Sequence, residues 1–315
     1  MLISVICPVL NGEKYIIDNI LKFFIKSKPT DKELFLIDGG STDNTICIIN
    51  EWIKDYSNIQ LINNPNKYVP FALNIGIKKS QGQFISRLDI HTEYPIDYFE
   101  KCIDLLNSTN ADNVGGTLIS CGRSQLGKGV AHCMSSVFGV GNSIPRVKNF
   151  DGYVDSVAFG FWAKESFTKY GFFDEIFIRN QDEEHNFRII EGGGKIYQSS
   201  SIKTRYFVRE DILSLIKQMF NYGYYKPKVL AKNFSRIRIR HLIPPLFTIY
   251  LVILLFFIKP LLFLPLFIYF LLNIFFSFRS KEGFAIRMIS LFVYPCMHIS
   301  YGLGFIFGLF NVRRS

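Results

Sequence analysis

Residues 34–45 read Leu-Phe-Leu-Ile-Asp-Gly-Gly-Ser-Thr-Asp-Asn-Thr, and this stretch decides the fold. Four apolar residues in a row mark a strand buried on both faces, as in a parallel sheet. Asp38 stands at the strand's carboxyl end. Gly39 and Gly40 let the chain turn with no Cβ in the way, and Ser41, Thr42 or Asp43 can cap the helix that follows. In open α/β sheets ligands bind in the crevice outside the carboxyl ends of the strands, so Asp38 points where a nucleoside would lie. The same letters also fit an ordinary strand-to-helix turn with a capping aspartate.

Outward from this stretch, strand and helix alternate. Ile3–Pro8 reads as a first strand, with a helix from Glu13 to Phe24. After the Asp38 turn come a helix over 43–56, a short strand over 59–62, a helix over 71–79 and a fourth strand over 83–88 that ends at Asp89. That alternation predicts an α/β fold with a parallel sheet, helices on both faces and a doubly wound, Rossmann-like nucleotide-binding half.

The 315-residue chain changes solvent part-way. Residues 1–235 read as soluble. From Leu242 the sequence runs LIPPLFTIYLVILLFFI, then LLFLPLFIYFLLNIFFSF, then a third apolar stretch from Met288 to Phe310. A bilayer core of about 30 Å takes roughly 20 apolar residues per helix, which the first two runs approach, with Lys259 and Pro260 suiting a tight turn between them. Pro295, His298 and several glycines let the third stretch be either a span or a re-entrant, interfacial helix. The expected division is a catalytic domain over 1–225, a basic juxtamembrane segment over 226–241 and a membrane region over 242–310 with two or three transmembrane helices.

The net charge of +10 points to a membrane rather than to nucleic acid, because of where the charge lies. Lys226, Lys228, Lys232, Arg236, Arg238 and Arg240 lead into Leu242 with no acid between them. Such a segment meets anionic headgroups and sets the large N-terminal region on the cytoplasmic side of a multi-pass cell (inner) membrane protein. Arg279, Lys281 and Arg287 agree with that topology. Arg313 and Arg314 conflict with it if the third stretch spans. The strand starting beside Met1 has no basic leader before it, so no signal peptide is expected. Six scattered cysteines without CxxC or Cys/His spacing read as free thiols.

Two clusters carry chemistry. In RLDIHTEYP, residues 87–95, Asp89 and His91 lie two apart, and in an extended chain they face one side, able to grip a divalent cation that bridges the phosphates of a leaving nucleotide. Oxygen ligands favour Mg²⁺, and the imidazole tilts the preference toward Mn²⁺. A surface turn fits the same letters. In RNQDEEHNFRI, residues 179–189, Asp182, Glu183 and Glu184 open a helix, where the dipole favours carboxylates for structural reasons alone. The functional reading makes one of them a general base for an acceptor hydroxyl. Arg188, six residues after Asp182, faces either phosphate or a neighbouring acid. FGVGNSIPR and VDSVAFGF, between the clusters, suit the floor of a sugar pocket or plain loop. Gly192–Lys195, GGGK, lacks the spacing of a phosphate loop.

Taken together these segments resemble the inverting family-two glycosyltransferases of GT-A fold, nearest their bacterial exopolysaccharide, succinoglycan-type branch. The likeness runs through VICPVLNGE, DGGSTDNT, VPFALNIG, RLDIHTEYP, FGVGNS, GFFDEIFIRNQDEEHNFRI and KQMFNYGYYK in order. It implies that Asp38 contacts the base of a UDP-sugar and that Pro8, Asn11, Glu13 and Gly39 line the same pocket. Asn74, Arg87 and Arg188 also face the substrate on this reading. Asp89 and His91 stand at the family's D-x-D metal motif, with histidine as a departure. Asp182 falls at the catalytic carboxylate, with Glu183 as second choice. Gln218–Tyr222 resembles a degenerate QxxRW with Asn221 in place of arginine, which favours transfer of one sugar over processive polymerisation. The implied reaction moves that sugar from a nucleotide-sugar donor to a lipid-linked, polyprenyl-diphosphate glycan, in exopolysaccharide, capsule or other cell-surface glycan synthesis. Three alternatives stay open: transfer directly to polyprenyl phosphate, a catalytically silent membrane scaffold that binds nucleotide-sugar, and a nucleotidyltransferase, which would want a basic glycine-rich loop early in the fold.

Overall fold

Strands β1 (Ile3–Val9) and β2 (Lys32–Asp38) pair in parallel from Ile3 opposite Lys32 to Val9 opposite Asp38. β3 (Ile59–Asn63) continues the sheet beyond β2, and β4 (Phe84–Arg87) lies on the other side of β1. The β1–β4 ladder stops where Ile6 meets Arg87, while β1 and β2 run on together to Val9 and Asp38. This unequal ending lies at the carboxyl edge, where open α/β sheets hold ligands in a crevice. Pro8 sits past the last β4 partner, where a strand tolerates a residue without an N–H.

In this computed structural model, which describes residues 1–147, 149–232, 237–257 and 259–312, the chain divides into two compact units. The first comprises Met1–Leu118 and Lys148–Tyr206. Besides the four parallel strands the sheet takes in β5 (Thr92–Glu93), β6 (Asn113–Cys121), β7 (Gly152–Tyr153), β8 (Phe161–Ala163) and β9 (Ile196–Phe207). Their order is β3-β2-β1-β4-β8-β6-β9-β5, with β7 also on β9. β8 is antiparallel to both β4 and β6, so the sheet is mixed, with a Rossmann-like parallel half and an antiparallel half. Ile3, Val5, Ile6, Leu34, Leu36 and Ile37 are wholly buried in the parallel half, each side chain contributing roughly 1.5–3 kcal/mol. Helix Val69–Lys79 comes down so close on β1 that a Cβ at Gly76 would lie 2.6 Å from Ile6 Cγ2.

The second unit joins Ile119–Val147 to Phe207–Ser315, which redraws the expected boundary at residue 225. The stretch 119–147, placed by sequence inside the catalytic domain, packs with the C-terminal helices instead. Lys226, Lys228 and Lys232 belong to a helix that already starts at Ile212 (Ile212–Lys232), not to a separate juxtamembrane segment. Arg236, Arg313 and Arg314 lie outside the described residues. Ile239–Phe256, Pro260–Phe278 and Phe284–Asn311 are long and apolar enough to cross a membrane. All six cysteines are free thiols.

The third apolar stretch is one helix, Phe284–Val312, and Pro295 does not end it. Its glycines are where other helices approach. A Cβ at Gly304 would stand 2.0 Å from the Phe220 carbonyl oxygen and one at Gly308 2.2 Å from that of Tyr224, while on the facing helix Ile212–Lys232 a Cβ at Gly223 would stand 2.1 Å from the Tyr301 carbonyl oxygen. Small residues four apart that admit a neighbouring backbone are a recurrent way of packing apolar helices. On the N-terminal half, helix Gln125–Met134 fits in the same manner, with Gly129 against Ile289. Gly304→Leu should therefore force the helix pair apart, with a loss of roughly 3 kcal/mol, the upper end for overpacking. Thermal unfolding in detergent should show the lower Tm, while Leu303→Ala on the same helix, which creates no such clash, should lower it less.

Candidate active site

The crevice is built from two loops that fasten each other. Asn11, at φ 49°, accepts on its amide oxygen from the Thr42 N–H at 2.8 Å, while its own N–H donates to Ser41 Oγ at 2.9 Å. The Gly12 N–H donates to Thr45 Oγ1 at 2.8 Å, and the Glu13 carboxylate accepts from the Asn44 N–H at 3.1 Å and its side-chain amide at 3.0 Å. Asp38, 4% exposed, accepts from the Gly40 N–H at 2.8 Å, the Ser41 N–H at 3.1 Å and the Ser41 hydroxyl at 2.5 Å. Gly39 is required by a close approach, since its Cβ would meet the Lys67 carbonyl oxygen at 2.8 Å. Asn11, Glu13, Asp38 and Gly39 thus hold the shape of the turn, and Pro8 leads β1 into it.

β4 ends at Arg87, so Asp89 and His91 lie in a turn rather than on the extended strand expected. The His91 N–H donates to Asp89 Oδ1 at 2.9 Å and the Thr92 N–H to the Asp89 carbonyl at 3.0 Å. The His91 ring stands edge-on to Tyr15, centroids 4.9 Å apart. Among the described residues no three His, Cys, Asp or Glu side chains gather as a metal cage. One carboxylate and one imidazole nevertheless fit an ion that arrives with its substrate, because Mg²⁺ is commonly held by one or two carboxylates plus phosphates and waters.

The acidic helix, Gln181–Glu191, meets this edge through Arg87. Arg87 Nη1 lies 3.8 Å from Asp182 Oδ2. Arg87 is buried, and its Nε and Nη1 have no hydrogen-bond partner among the described residues. Its guanidinium lies 6.0 Å above the Phe159 ring, and the Arg87 backbone N–H donates to the Gly160 carbonyl at 3.3 Å. Phe159 holds φ 64°, a region bulky side chains seldom enter. VDSVAFGF thus lies against Arg87, a contact that sequence reading did not single out for Phe159. The Asp182 side chain is 39% exposed whereas that of Glu184 is 1% exposed, which separates the carboxylate open to an acceptor from the one that is not.

Residues 4–198 match the family described as Glycosyl transferase family 2. The chain belongs to that family. It is 26% identical over 242 residues to the succinoglycan biosynthesis protein ExoA of Rhizobium meliloti (strain 1021), covering 76% of this chain and 73% of the relative. It is 27% identical over 245 residues to a dolichyl N-acetyl-alpha-D-glucosaminyl phosphate 3-beta-D-2,3-diacetamido-2,3-dideoxy-beta-D-glucuronosyltransferase of Methanococcus voltae, covering 75% and 76%. The fold is shared with crystal structures of S. aureus TarS 1-349, which cover 96% of this chain and 91% of theirs: TM-score 0.52 at 13% identity, and 0.50 at 14% for the complex with UDP. The resemblance to a family-two, ExoA-like glycosyltransferase therefore holds.

Some residues expected at the substrate make several contacts within the protein. Arg188 is engaged within its own helix and the loop before it. Its Nε and Nη2 grip both oxygens of Glu184 at 2.9 Å, and Nη2 also donates to the Phe172 carbonyl at 2.7 Å. The neighbouring-acid reading is the one realised. Asn74 likewise is fully engaged, accepting from the Phe173 N–H at 3.0 Å and donating to the Phe173 carbonyl and Glu175. FGVGNSIPR belongs to the second unit. Gln218 donates to the Tyr222 hydroxyl at 3.2 Å inside helix Ile212–Lys232.

The acidic helix is further pinned by Asn186, which accepts from Asn113 at 2.8 Å and donates to Ser156 at 2.9 Å, and by His185. The His185 ring is wholly buried against Phe167 and Phe173, with Nε2 3.1 Å from the Gly171 carbonyl. Burial first, and the Arg188 charge second, push its pKa from 6.5 down to about 3. Unfolded chains take up this proton near 6.5 and folded ones only near 3, so between those values the unfolded state binds more protons. Stability must fall as pH drops through that window. The Tm of His185→Gln, which keeps a donor for Gly171, should fall less steeply than wild type below pH 6.5.

Proposed function

We propose that this protein is an inverting transferase that moves one sugar from a nucleotide-sugar, UDP-linked in the first instance, to a lipid-linked polyprenyl-diphosphate glycan in cell-surface polysaccharide synthesis. The observation that carries the reading is the Arg87–Asp182 ion pair, which brings an exposed carboxylate on the acidic helix to the strand end that bears Asp89 and His91. Asp182 takes the proton from an acceptor hydroxyl, whose oxygen attacks the anomeric carbon in line as the nucleoside diphosphate departs. A single displacement inverts that carbon. Glu183 is the substitute base. The buried nitrogens of Arg87 favour an incoming diphosphate, which would supply the acceptors they want. Asp89 and His91 would hold Mn²⁺ or Mg²⁺, and such an ion neutralises charge on the leaving diphosphate. Asp38, buried at the end of β2, stands at the position argued for the base of the nucleotide.

The UDP named for the TarS complex and the dolichyl sugar phosphate named for the Methanococcus voltae relative support a UDP-linked donor and a lipid-linked acceptor. Three apolar helices and the lysines and arginines beside them agree with a catalytic unit held at the cytoplasmic face of the cell membrane.

The test is donor turnover by the detergent-solubilised full chain with a panel of UDP- and GDP-sugars, membrane lipid extract, and Mn²⁺, Mg²⁺ or EDTA. One donor should release UDP only with metal. Asp182→Asn should lower transfer roughly 10³-fold, in the range of lost general-base catalysis, with UDP binding retained. Full activity in Asp182→Asn would point to polyprenyl phosphate as acceptor, whose oxygen is already ionised. No UDP binding under any condition would leave the scaffold reading.

A further inference from the structure

Helix Phe284–Val312 has two faces with different partners. One face is covered by other helices of the second unit from end to end. On its first half it takes helix Gln125–Met134 and the turn after it, with Gly129 against Ile289, the Tyr294 hydroxyl on Ser136 and the His298 ring on the Phe138 carbonyl. On its second half it takes helix Ile212–Lys232, with Phe220 against Gly304 and Tyr224 against Gly308. The other face carries Phe284, Met288, Phe292, Leu303, Phe307 and Phe310, all exposed. Their spacing follows the helical repeat, so they form one stripe. From Phe284 to Phe310 that stripe is about 39 Å long.

Neither covering helix is among those long and apolar enough to cross a membrane, and both follow directly on strands of the sheet. β6 ends at Cys121, just ahead of Gln125, and β9 ends at Phe207, just ahead of Ile212. Helix Ile212–Lys232 runs in the same direction as the long helix, because Phe220 and Tyr224 meet Gly304 and Gly308 in that order. Ile212 therefore lies level with a point roughly 12 Å before Gly304, close to the middle of the long helix. If the long helix crossed a bilayer, whose hydrocarbon core is about 30 Å thick, that start would sit deep in hydrocarbon. The exposed Asp211 and Lys217 would be there with it. Charged side chains and irregular backbone that face lipid are not tolerated at such depth. A helix laid along the surface meets no such conflict, because its covered face looks to water and its stripe to the acyl chains. Arg279 and Lys281, exposed just before Phe284, add cations suited to anionic headgroups. The charge pattern agrees, since a crossing would part Arg313 and Arg314 from Arg279, Lys281 and Arg287.

We propose that helix Phe284–Val312 lies in the plane of the membrane surface and does not cross the bilayer. The stripe from Phe284 to Phe310 is sunk into one leaflet, and both ends of the helix stay on the aqueous side that holds helices Gln125–Met134 and Ile212–Lys232. A second copy of the chain is the poorer occupant of the stripe, because the two helices ahead of it present apolar surface of the length that a bilayer takes. The proposal stands apart from the transferase reading: the stripe seats the second unit on a leaflet whatever reaction the first unit performs.

The experiment uses the full chain reconstituted in vesicles of phosphatidylcholine with phosphatidylglycerol. Phe284→Trp, Phe292→Trp, Leu303→Trp and Phe310→Trp, made one at a time at exposed positions, place a fluorophore along the stripe and leave the packed face intact. Quenching by lipids brominated at a series of acyl positions is read after subtracting the signal of the unsubstituted protein, which carries Trp52 and Trp162. All four should be quenched at one shallow depth, roughly 5–10 Å into the headgroup and acyl boundary. Shallow quenching at Phe284→Trp and Phe310→Trp, with Phe292→Trp and Leu303→Trp near the bilayer centre, is the pattern of a crossing helix and overturns the proposal. Absence of quenching at all four overturns it as well, because the stripe would then be covered by protein. Sidedness gives a second readout. A membrane-impermeant maleimide, followed on the peptide that carries each new thiol, should label Gly283→Cys and Ser315→Cys from the same face of sealed vesicles. Labelling from opposite faces sinks the in-plane helix.

Discussion

A guanidinium buried with two nitrogens unpaired is expensive unless negative charge stands close by, and Arg87 is in that position. Asp182 answers part of the need from 3.8 Å, beyond hydrogen-bonding reach. Much of the first unit is arranged so that this partial pairing persists. β4 stops at Arg87, Phe159 sets its ring by the guanidinium, the Gly160 carbonyl accepts from the Arg87 backbone N–H, and the acidic helix that carries Asp182 is pinned. The pins are buried and polar: Arg188 on Glu184, Asn186 between Asn113 and Ser156, His185 on the Gly171 carbonyl, and Asn74 on the loop before the helix. Each costs desolvation, and together they fix one carboxylate against one cation.

The same economy of parts explains the paired motifs near the start of the chain. Asn-Gly-Glu after β1 and Ser-Thr-Asp-Asn-Thr after β2 lie thirty or so positions apart, yet they exchange hydrogen bonds as if they were one loop. Neither segment could hold its conformation alone, since Asn11 needs a left-handed backbone and Gly40, at φ 91°, a conformation that glycine adopts freely. Side chains that look like ligands in a sequence are here the walls that give the pocket its form.

The parallel half of the sheet was legible because its strands and helices alternate locally, and Leu34–Ile37 read correctly as a doubly buried strand ending at Asp38. The antiparallel half was not, because β8 is three residues long and takes its partners, β4 and β6, from far along the chain. The place of Asp182 in a helix's first turn was legible, whereas its partner Arg87 gave no sign in spacing or composition of being buried. Arg188 was ambiguous in sequence between phosphate and acid, and only its bidentate grip on Glu184 decides it. The membership of 119–147 in the second unit was beyond sequence reading, since it rests on pairs such as Ser136 and Tyr294, which are 158 residues apart.

Those long-range pairs also change how the polar residues of the apolar helices are understood. A histidine or asparagine inside a hydrophobic run is by default a functional pointer, because an unsatisfied polar group is costly in hydrocarbon. His298 meets that cost structurally, with the Tyr269 hydroxyl on Nδ1 at 3.0 Å and the Phe138 carbonyl on Nε2 at 2.8 Å. Asn273 donates to the Leu291 carbonyl at 2.9 Å, and Tyr294 donates to Ser136 at 2.8 Å. Phe138 itself is ringed by Tyr269, Phe276, Tyr294 and His298, its face parallel to Phe276 within 4°. FGVGNS is therefore a key that fits a lock in the C-terminal helices: Phe138 fills the aromatic cage, its carbonyl satisfies the histidine, and Gly139 admits the Cys133 carbonyl where a Cβ would stand 2.0 Å from it. The polar groups in these helices follow from that fit, and their presence alone gives no reason to assign them to the chemistry of transfer.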